Sequence, residues 1–430
     1  MMNSVKARIK DISRGIVPAG YKQTRLGIIP ETWDALELNT VLTESKARNR
    51  NNLYSKNDVL SVSGEMGITN QIDLLGRSFA GESVLEYHVV EHGDVVYTKS
   101  PLKANPYGII KQNKGQAGIV STLYAVYHPR NYSAGTYLDY YFSLDRNVNN
   151  YLRPLVRKGT KNDMKINNED ALKGLIIFPP EKECDRILEI LECCDKVICL
   201  KRELIEAKKK QKKALMQKLL DSNSGFRLPG FNGEWESVSL EDCGTWTGGG
   251  TPSKQNPAFW ENGTIKWISS QEVKVRLLLN TTFKITERAI QESTSNLVSS
   301  NSLIFVTRSG VLQHSFPIAK IIEPMAINQD IKALTPNEKI EIDFLQYFLE
   351  YHELDIIRNY IKAGTTVESL MFDDFKKMTI RVPEKAEQKA IVKVLSSSDH
   401  ELDLLEQDLT QWELKKKSLM QLLLTGKVRA

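Results

Sequence analysis

The chain repeats itself, and that repeat constrains every other reading of it. PPEKECDRILEILECCDKVI, from Pro179, aligns with PEKAEQKAIVKVLSSSDHEL, from Pro383, at an offset of 204 residues. Pro179 meets Pro383, Ile187 meets Ile391, Leu191 meets Leu395 and Asp195 meets Asp399. The register runs on without a gap until KKALMQKLL, ending at Leu220, meets KKSLMQLLL, ending at Leu424. Upstream, IVSTLYAVYHP from Ile119 resembles INQDIKALTP from Ile327, and DVVYTKS from Asp94 resembles LIFVTRS from Leu303. IPETWDALEL around Trp33 resembles FNGEWESVSL around Trp235, and Gly159-Thr160 precedes the first proline much as Gly364-Thr365 precedes the second. The 430 residues are therefore two copies of one unit, a globular portion followed by a long helix.

Short β-rich runs bounded by Gly, Pro, Asn and Ser predict strands at 94–98, 174–178, 303–306 and 378–382. Residues 137–144 and 344–361 read as helices. Similarity is strong at the edges of the copies and poor in their middles; 103–118 has no convincing counterpart. A shared frame with divergent middles suits two domains doing one kind of job on two targets.

In the first long helix, positions 187, 191, 194, 198, 201, 205, 208, 212, 215 and 219, at alternating spacings of four and three, hold I, L, C, I, K, I, K, K, L and L; the positions 204 further on hold I, L, S, L, L, L, W, K, L and L. That spacing is a coiled-coil seam, and about 40 residues at 1.5 Å each make a rod near 60 Å. Each helix begins acidic (Glu181, Glu183, Asp185; Glu384, Glu387) and ends basic (Lys208 to Lys210, Lys212, Lys213; Lys415 to Lys417). A parallel pair would set lysines beside lysines, so the charges select an antiparallel pair. Lys201, Lys208 and Lys212 interrupt the first seam. They predict a looser middle, unless they snorkel or face another subunit. The expected fold is α+β: two similar mixed α/β domains joined by two long antiparallel coiled-coil helices, with pseudo-two-fold symmetry. The expected boundaries are an N-terminal amphipathic helix at 1–19, domains at 20–178 and 223–382, and helices at 179–222 and 383–430.

Catalytic patterns are not found. Gly248-Gly249-Gly250 leads into Thr251-Pro252 rather than Gly-Lys-Ser/Thr, so it is no P-loop. Asn105-Pro106-Tyr107 lacks the second proline of the Asn-Pro-Pro-Tyr motif of adenine methyltransferases. Cys184, Cys193, Cys194 and Cys199 lack zinc-site pairs, and His88, His92, His128, His314, His352 and His400 have no metal or triad spacing. No run approaches the roughly 20 apolar residues that span a bilayer. Five cysteines, an odd count without framework spacing, argue for reduced thiols and a cytoplasmic location.

Binding chemistry remains. The net charge of +5 is too weak to name a partner, but basic residues sit among Gly, Asn, Gln, Ser and Thr in polar loops of both domains. In the first these are Lys46, Arg48, Arg50, Lys99, Lys103, Lys111, Lys114, Arg157, Lys158 and Lys161. In the second they are Lys254, Lys266, Lys274, Arg276, Arg308 and Lys362. Such a mix holds phosphates and reads base edges, and a two-fold reader matches the symmetry of duplex DNA. A self-contained DNA-modifying enzyme and a coiled-coil scaffold are the competing readings.

Several segments together resemble the specificity subunit of type I restriction-modification systems. One is Gly248-Gly249-Gly250-Thr251-Pro252-Ser253-Lys254 with Phe259-Trp260 and Gly263-Thr264-Ile265-Lys266-Trp267-Ile268-Ser269, which looks like the opening of a target recognition domain. Gly27-Ile28-Ile29-Pro30-Glu31-Thr32-Trp33 and the Pro-Glu-Lys helices ending in Leu-Met-Gln are others. The first copy departs from the pattern: it lacks the Gly-Gly-Thr-Pro loop near 43–52 and has VLSVSG at Val59 to Gly64 where the second has Ile265 to Ser270. The resemblance implies two target recognition domains, each reading half of a bipartite double-stranded DNA site, with the helices as spacer. It implies no catalysis by this chain. Two modification (adenine methyltransferase) subunits would bring S-adenosylmethionine, and restriction subunits would bring ATP and Mg; no cofactor would bind here.

Overall fold

Each predicted strand forms where apolar alternation meets a Gly, Asn or Pro boundary: Val95–Thr98, Leu175–Phe178, Ser302–Val306 and Thr379–Val382. The structure, a computed structural model, describes residues 2–158, 164–364 and 367–430. The predicted helix at 344–361 is two, Ile342–Tyr351 and Glu353–Tyr360, broken at His352 (ψ 12°). Its counterpart is likewise a pair, Tyr132–Phe142 and Asp145–Leu152. The N-terminal helix ends earlier than expected, at Ser13, and Gly15 follows with φ +78°.

The two lobes share one topology. In the first, the central sheet runs Leu42–Glu44, Tyr124–Pro129, Val95–Thr98, Ile109–Gln112. In the second it runs Gly244–Gly248, Ile331–Pro336, Ser302–Val306, Ile318–Ile321, with Leu277–Leu278 added in parallel at the edge. The seemingly unmatched 103–118 region fits this plan. Ile109–Gln112 pairs with Val95–Thr98 as Ile318–Ile321 pairs with Ser302–Val306. Gly118–Val120 pairs with His88–Val90 as Met325–Ile327 pairs with Asn296–Val298. Pairing asks only for apolar inward positions, so the side chains diverged while the register stayed.

The compact units cut across the linear division. One comprises 1–201 with 408–430, and the other 202–407. Each therefore holds a lobe and half of each long helix, Glu181–Leu220 and Lys385–Leu423. In the first unit Ile187, Leu188 and Leu191 share a core with Met420, Leu423 and Leu424. In the second, Leu219 and Leu220 share a core with Ile391 and Leu395. Burying such a leucine contributes about 1.5–3 kcal/mol.

Within each unit the helix halves run antiparallel, as the charges required. In the first unit, Asp195 pairs with Lys416 and Lys201 with Asp408, so the register falls on one helix as it rises on the other. In the second, Lys208 lies 2.6 Å from Glu401, and Lys212 pairs with Asp399. The seam lysines thus do not loosen the middle. Each is half-buried with its ammonium on a carboxylate of the facing helix, which replaces an apolar contact by an ion pair.

The repeat offset reappears in these pairs: Asp195–Lys416 is the counterpart of Asp399–Lys212. Each aspartate also ties its lobe to the helices. The Tyr140 hydroxyl donates to Asp195 (2.6 Å) and the Tyr347 hydroxyl to Asp399 (2.5 Å). Burial, followed by that aspartate, raises the pKa of each tyrosine, so both stay neutral donors.

A second duplicated contact closes each unit. Glu183, in the first turn of its helix, accepts from the indole of the fully buried Trp33 (2.9 Å) and from Arg429 Nη2 (2.7 Å). Glu387, in the first turn of the other, accepts from Arg227 Nε (2.7 Å). Both carboxylates are buried, and the helix N-terminus favours their charge. Gly426 (φ +69°) lies against Pro30 and Trp33, where an added Cβ would come 2.4 Å from Pro30 Cδ. Removing one partner strands a buried charge. Arg429→Ala is expected to destabilise the first unit by about 1–3 kcal/mol, less than a fully buried pair because Arg429 is partly exposed. Hydrogen exchange should show the loss at core amides around Trp33 and Tyr137, with those around Phe344 unchanged.

Candidate nucleic-acid interface

In both lobes a basic residue follows the central strand, and a short β-hairpin lies between the second helix of the pair and the last strand. Lys99 follows Val95–Thr98, and the hairpin is Arg157–Lys158 with Met164–Lys165. Arg308 follows Ser302–Val306 and bridges Ser369 of the hairpin Ile361–Lys362 with Ser369–Leu370.

In the first lobe this end is polar. Lys99 Nζ donates to Asn168 Oδ1 (2.7 Å), and Asn168 Nδ2 donates to Glu44 Oε1 (2.7 Å). The buried Tyr127 donates its hydroxyl to the Asn168 carbonyl (2.9 Å). An open cleft of about 390 Å³ is lined by Glu44, Lys99, Ile166, Asn167, Asn168 and Glu169. Glu44 ends its strand, and the loop beyond carries Lys46, Arg48 and Arg50. Lys46 lies 3.8 Å from Glu169, Arg50 lies 3.2 Å from Glu86, and Arg48 donates to the Glu86 carbonyl (2.7 Å). These exposed pairs are individually weak, so the cations can exchange carboxylate for phosphate. Beneath them His88 is buried, with no hydrogen-bond partner for Nδ1 among the described residues. Burial, and then the charge of Arg48, lower its pKa to about 4.

In the second lobe the same region is aromatic. The register that places Glu44 opposite Tyr127 places Trp246 opposite Leu334. Phe372 lies just after the hairpin there, as Asn168 lies just after it in the first lobe. Trp246 and Phe372 meet edge to face, 5.2 Å between ring centres. The glycine loop that follows is dictated by sterics. A Cβ on Gly249 would fall 2.0 Å from the Ile327 carbonyl, and one on Gly250 2.2 Å from Thr294 Oγ1. The Trp267 indole donates to the Gly250 carbonyl (3.2 Å), and Thr251 Oγ1 donates to Gln329 Oε1 (2.5 Å). These glycines thus allow close packing.

The structure divides the candidate cations. Lys111 is buried, with Nζ on Ser143 (2.6 Å) and burial lowering its pKa. Lys114 lies 2.8 Å from Asp139 and over the Tyr140 ring. Arg276 lies 3.4 Å over the Tyr347 ring, with Nε on Glu350 (2.7 Å) and Nη1 on Asp399 (2.9 Å). Lys266 pairs with Glu323. Lys111 and Arg276 are built into the fold, which corrects their placement among surface contacts; Lys114 is exposed and Lys266 half-buried, each already beside a carboxylate. Lys103, Arg157, Lys254, Lys274, Arg308 and Lys362 are exposed and form no ion pair among the described residues. Lys158 is in its hairpin strand, and Lys161 lies outside the described residues. Sequence reasoning missed Glu44, Asn168, Thr251 and Gln329, because it searched loops for cations.

No cluster of His, Cys, Asp and Glu suited to a metal occurs among the described residues, and no described helix is long and apolar enough to cross a membrane.

Comparison with known proteins bears on these surfaces. Residues 232–414 match the family model described as "Type I restriction modification DNA specificity domain". The chain is 35% identical over 223 residues to the specificity subunit of the type I restriction enzyme EcoR124I/EcoR124II of Escherichia coli, covering 51% of this chain and 53% of that one. That match spans about half of the relative's length. It is 24% identical over 443 residues to the putative type I restriction enzyme MjaX specificity subunit of Methanocaldococcus jannaschii, covering 95% and 96%. A chain from a solved type I R-M system shares the fold, with TM-score 0.61 and 16% identity over 93% of this chain and 99% of that one.

Two outcomes follow. Gly249→Ala should destabilise the second lobe by about 1–3 kcal/mol, read as a lowered thermal midpoint, because backbone at 2.0 Å must shift. His88 binds its proton more weakly when folded. Its contribution to stability should therefore be intact above its ordinary pKa of about 6.5 and decline as pH falls toward about 4. Denaturant titrations of His88→Leu should lose that part of the slope.

Proposed function

Because the chain belongs to the family of type I restriction-modification specificity subunits, we propose that it reads a bipartite DNA sequence, with one lobe on each half-site. The observation that carries this reading is the shared strand order with unlike chemistry at the same sheet end: Glu44, Asn168 and Lys99 in one lobe, Trp246, Phe372 and Arg308 in the other. One scaffold with two rims is what two different half-sites require, because phosphate contacts position a reader and side chains at base edges specify it.

In this reading Lys46, Arg48, Arg50, Lys99, Lys103, Arg157, Lys158 and Lys161 approach the backbone and bases of one half-site. Lys254, Lys274, Arg308 and Lys362 do so at the other. The long helices act as the spacer. Two modification subunits carry S-adenosylmethionine and methylate adenine, and restriction subunits carry ATP and Mg. This chain selects the site and supplies no catalytic group. The complex works on DNA in the cytoplasm.

Methylome sequencing of cells with and without the chain tests this directly. The expected result is one split motif with modified adenine on both strands, lost on deletion; an unsplit motif overturns the reading. Replacing 20–178 with the matching lobe of a relative should change one half of the motif and leave the other. Affinity should fall about a thousandfold between roughly 50 and 200 mM salt if about six phosphates are contacted. Four residues inserted in each helix lengthen it by about 6 Å and should widen the preferred gap by about one or two base pairs.

A further inference from the structure

We propose that Glu44 and Asn168 form a base-reading site in the first lobe that selects a base presenting an exocyclic amino group in the major groove, adenine or cytosine, over guanine or thymine. The proposal rests on the DNA-reading function above.

The basic rim makes the carboxylate at position 44 informative. Glu86 and Glu169 stand beside cations, Arg50 and Lys46. Glu44 forms no ion pair among the described residues; its one hydrogen bond comes from an amide, Asn168 Nδ2. It is half-buried at a strand end, so it cannot swing away. A fixed carboxylate facing DNA repels phosphate, and it also repels the O6 and N7 acceptors of guanine and the O4 of thymine. It accepts from the N4 amino group of cytosine or the N6 amino group of adenine.

The neighbours set the orientation. Lys99 Nζ on Asn168 Oδ1 leaves the amide only one sense, with Nδ2 toward Glu44. Tyr127 fixes the Asn168 backbone. Glu44 Oε2 has no hydrogen-bond partner among the described residues, and Asn168 Nδ2 has a second hydrogen. An acceptor and a donor thus stand side by side at a cleft of about 390 Å³. That pair matches the N6 donor and N7 acceptor of adenine, while the carboxylate alone suffices for cytosine. At the same place in the second lobe, Trp246 and Phe372 close on each other and offer neither group. A requirement of the fold would have kept one solution in both copies; two solutions on one backbone point to the target.

Glu44→Gln keeps the shape and the Asn168 contact but removes the charge. The chain, or this variant, is expressed with its modification subunits in a host free of other methylation, and motifs are read by methylome sequencing. The wild type should show adenine or cytosine at one position of the half-site read by the first lobe. Glu44→Gln should relax that position alone toward guanine or thymine, by about tenfold to a hundredfold, with gap and other half unchanged. Adenine and cytosine are distinguished by which base the wild-type motif holds there. An unchanged motif, or relaxation in the other half, overturns the assignment and leaves the two-lobe reading standing. A wild type without a split motif overturns both. If the variant modifies nothing, the purified complex is titrated with duplexes varied base by base. A loss confined to one position supports the site, and a uniform loss overturns it. Asn168→Ala should act at the same position.

Discussion

A buried carboxylate in the first turn of each long helix, clamped by an arginine beyond the end of the other, closes both units. Glu183 takes Arg429, and Glu387 takes Arg227. A charge taken out of water is costly unless it is paired and hydrogen-bonded, and here pairing needs a residue distant in sequence. The chain must therefore return along itself before either lobe is complete. This is why residues 408–430 belong with the first unit and 202–220 with the second.

From that closure the remaining contacts acquire their register. Asp195 and Asp399 each gather a lysine from the facing helix half and a tyrosine from the lobe, so helix pairing and lobe docking share one carboxylate. The lobe so held places its central strand end, the adjoining hairpin and the loop after the edge strand beside one another. Sheet pairing tolerates exchange of side chains at that end. The first lobe could carry a hydrogen-bonded chain from Lys99 to Glu44 and the second a tryptophan on a phenylalanine, without a change in strand order.

Most of the architecture was legible in the amino-acid order because it rests on local periodicity. The seam spacing announced two helices, the acidic starts and basic ends announced their direction, and Pro179 with Pro383 marked where they begin. The middles were not legible: Ile109–Gln112 and Ile318–Ile321 do the same work with little in common beyond inward apolar positions. Among the candidate contacts, Lys111 and Arg276 were indistinguishable from exposed cations. Nothing adjacent in the chain signals a carboxylate waiting across the fold.

By itself, then, the sequence determined that there are two copies of one unit, two long helices and an antiparallel preference between them, because offsets, heptads and net charge act over short stretches. Only the tertiary structure decided which cations are spent inside, which carboxylate at a sheet end has no ion pair among the described residues, and which half of each helix serves which lobe. Those outcomes depend on Coulomb and hydrogen-bond contacts between residues 32 to 246 positions apart, and distance along the chain carries no trace of distance in space.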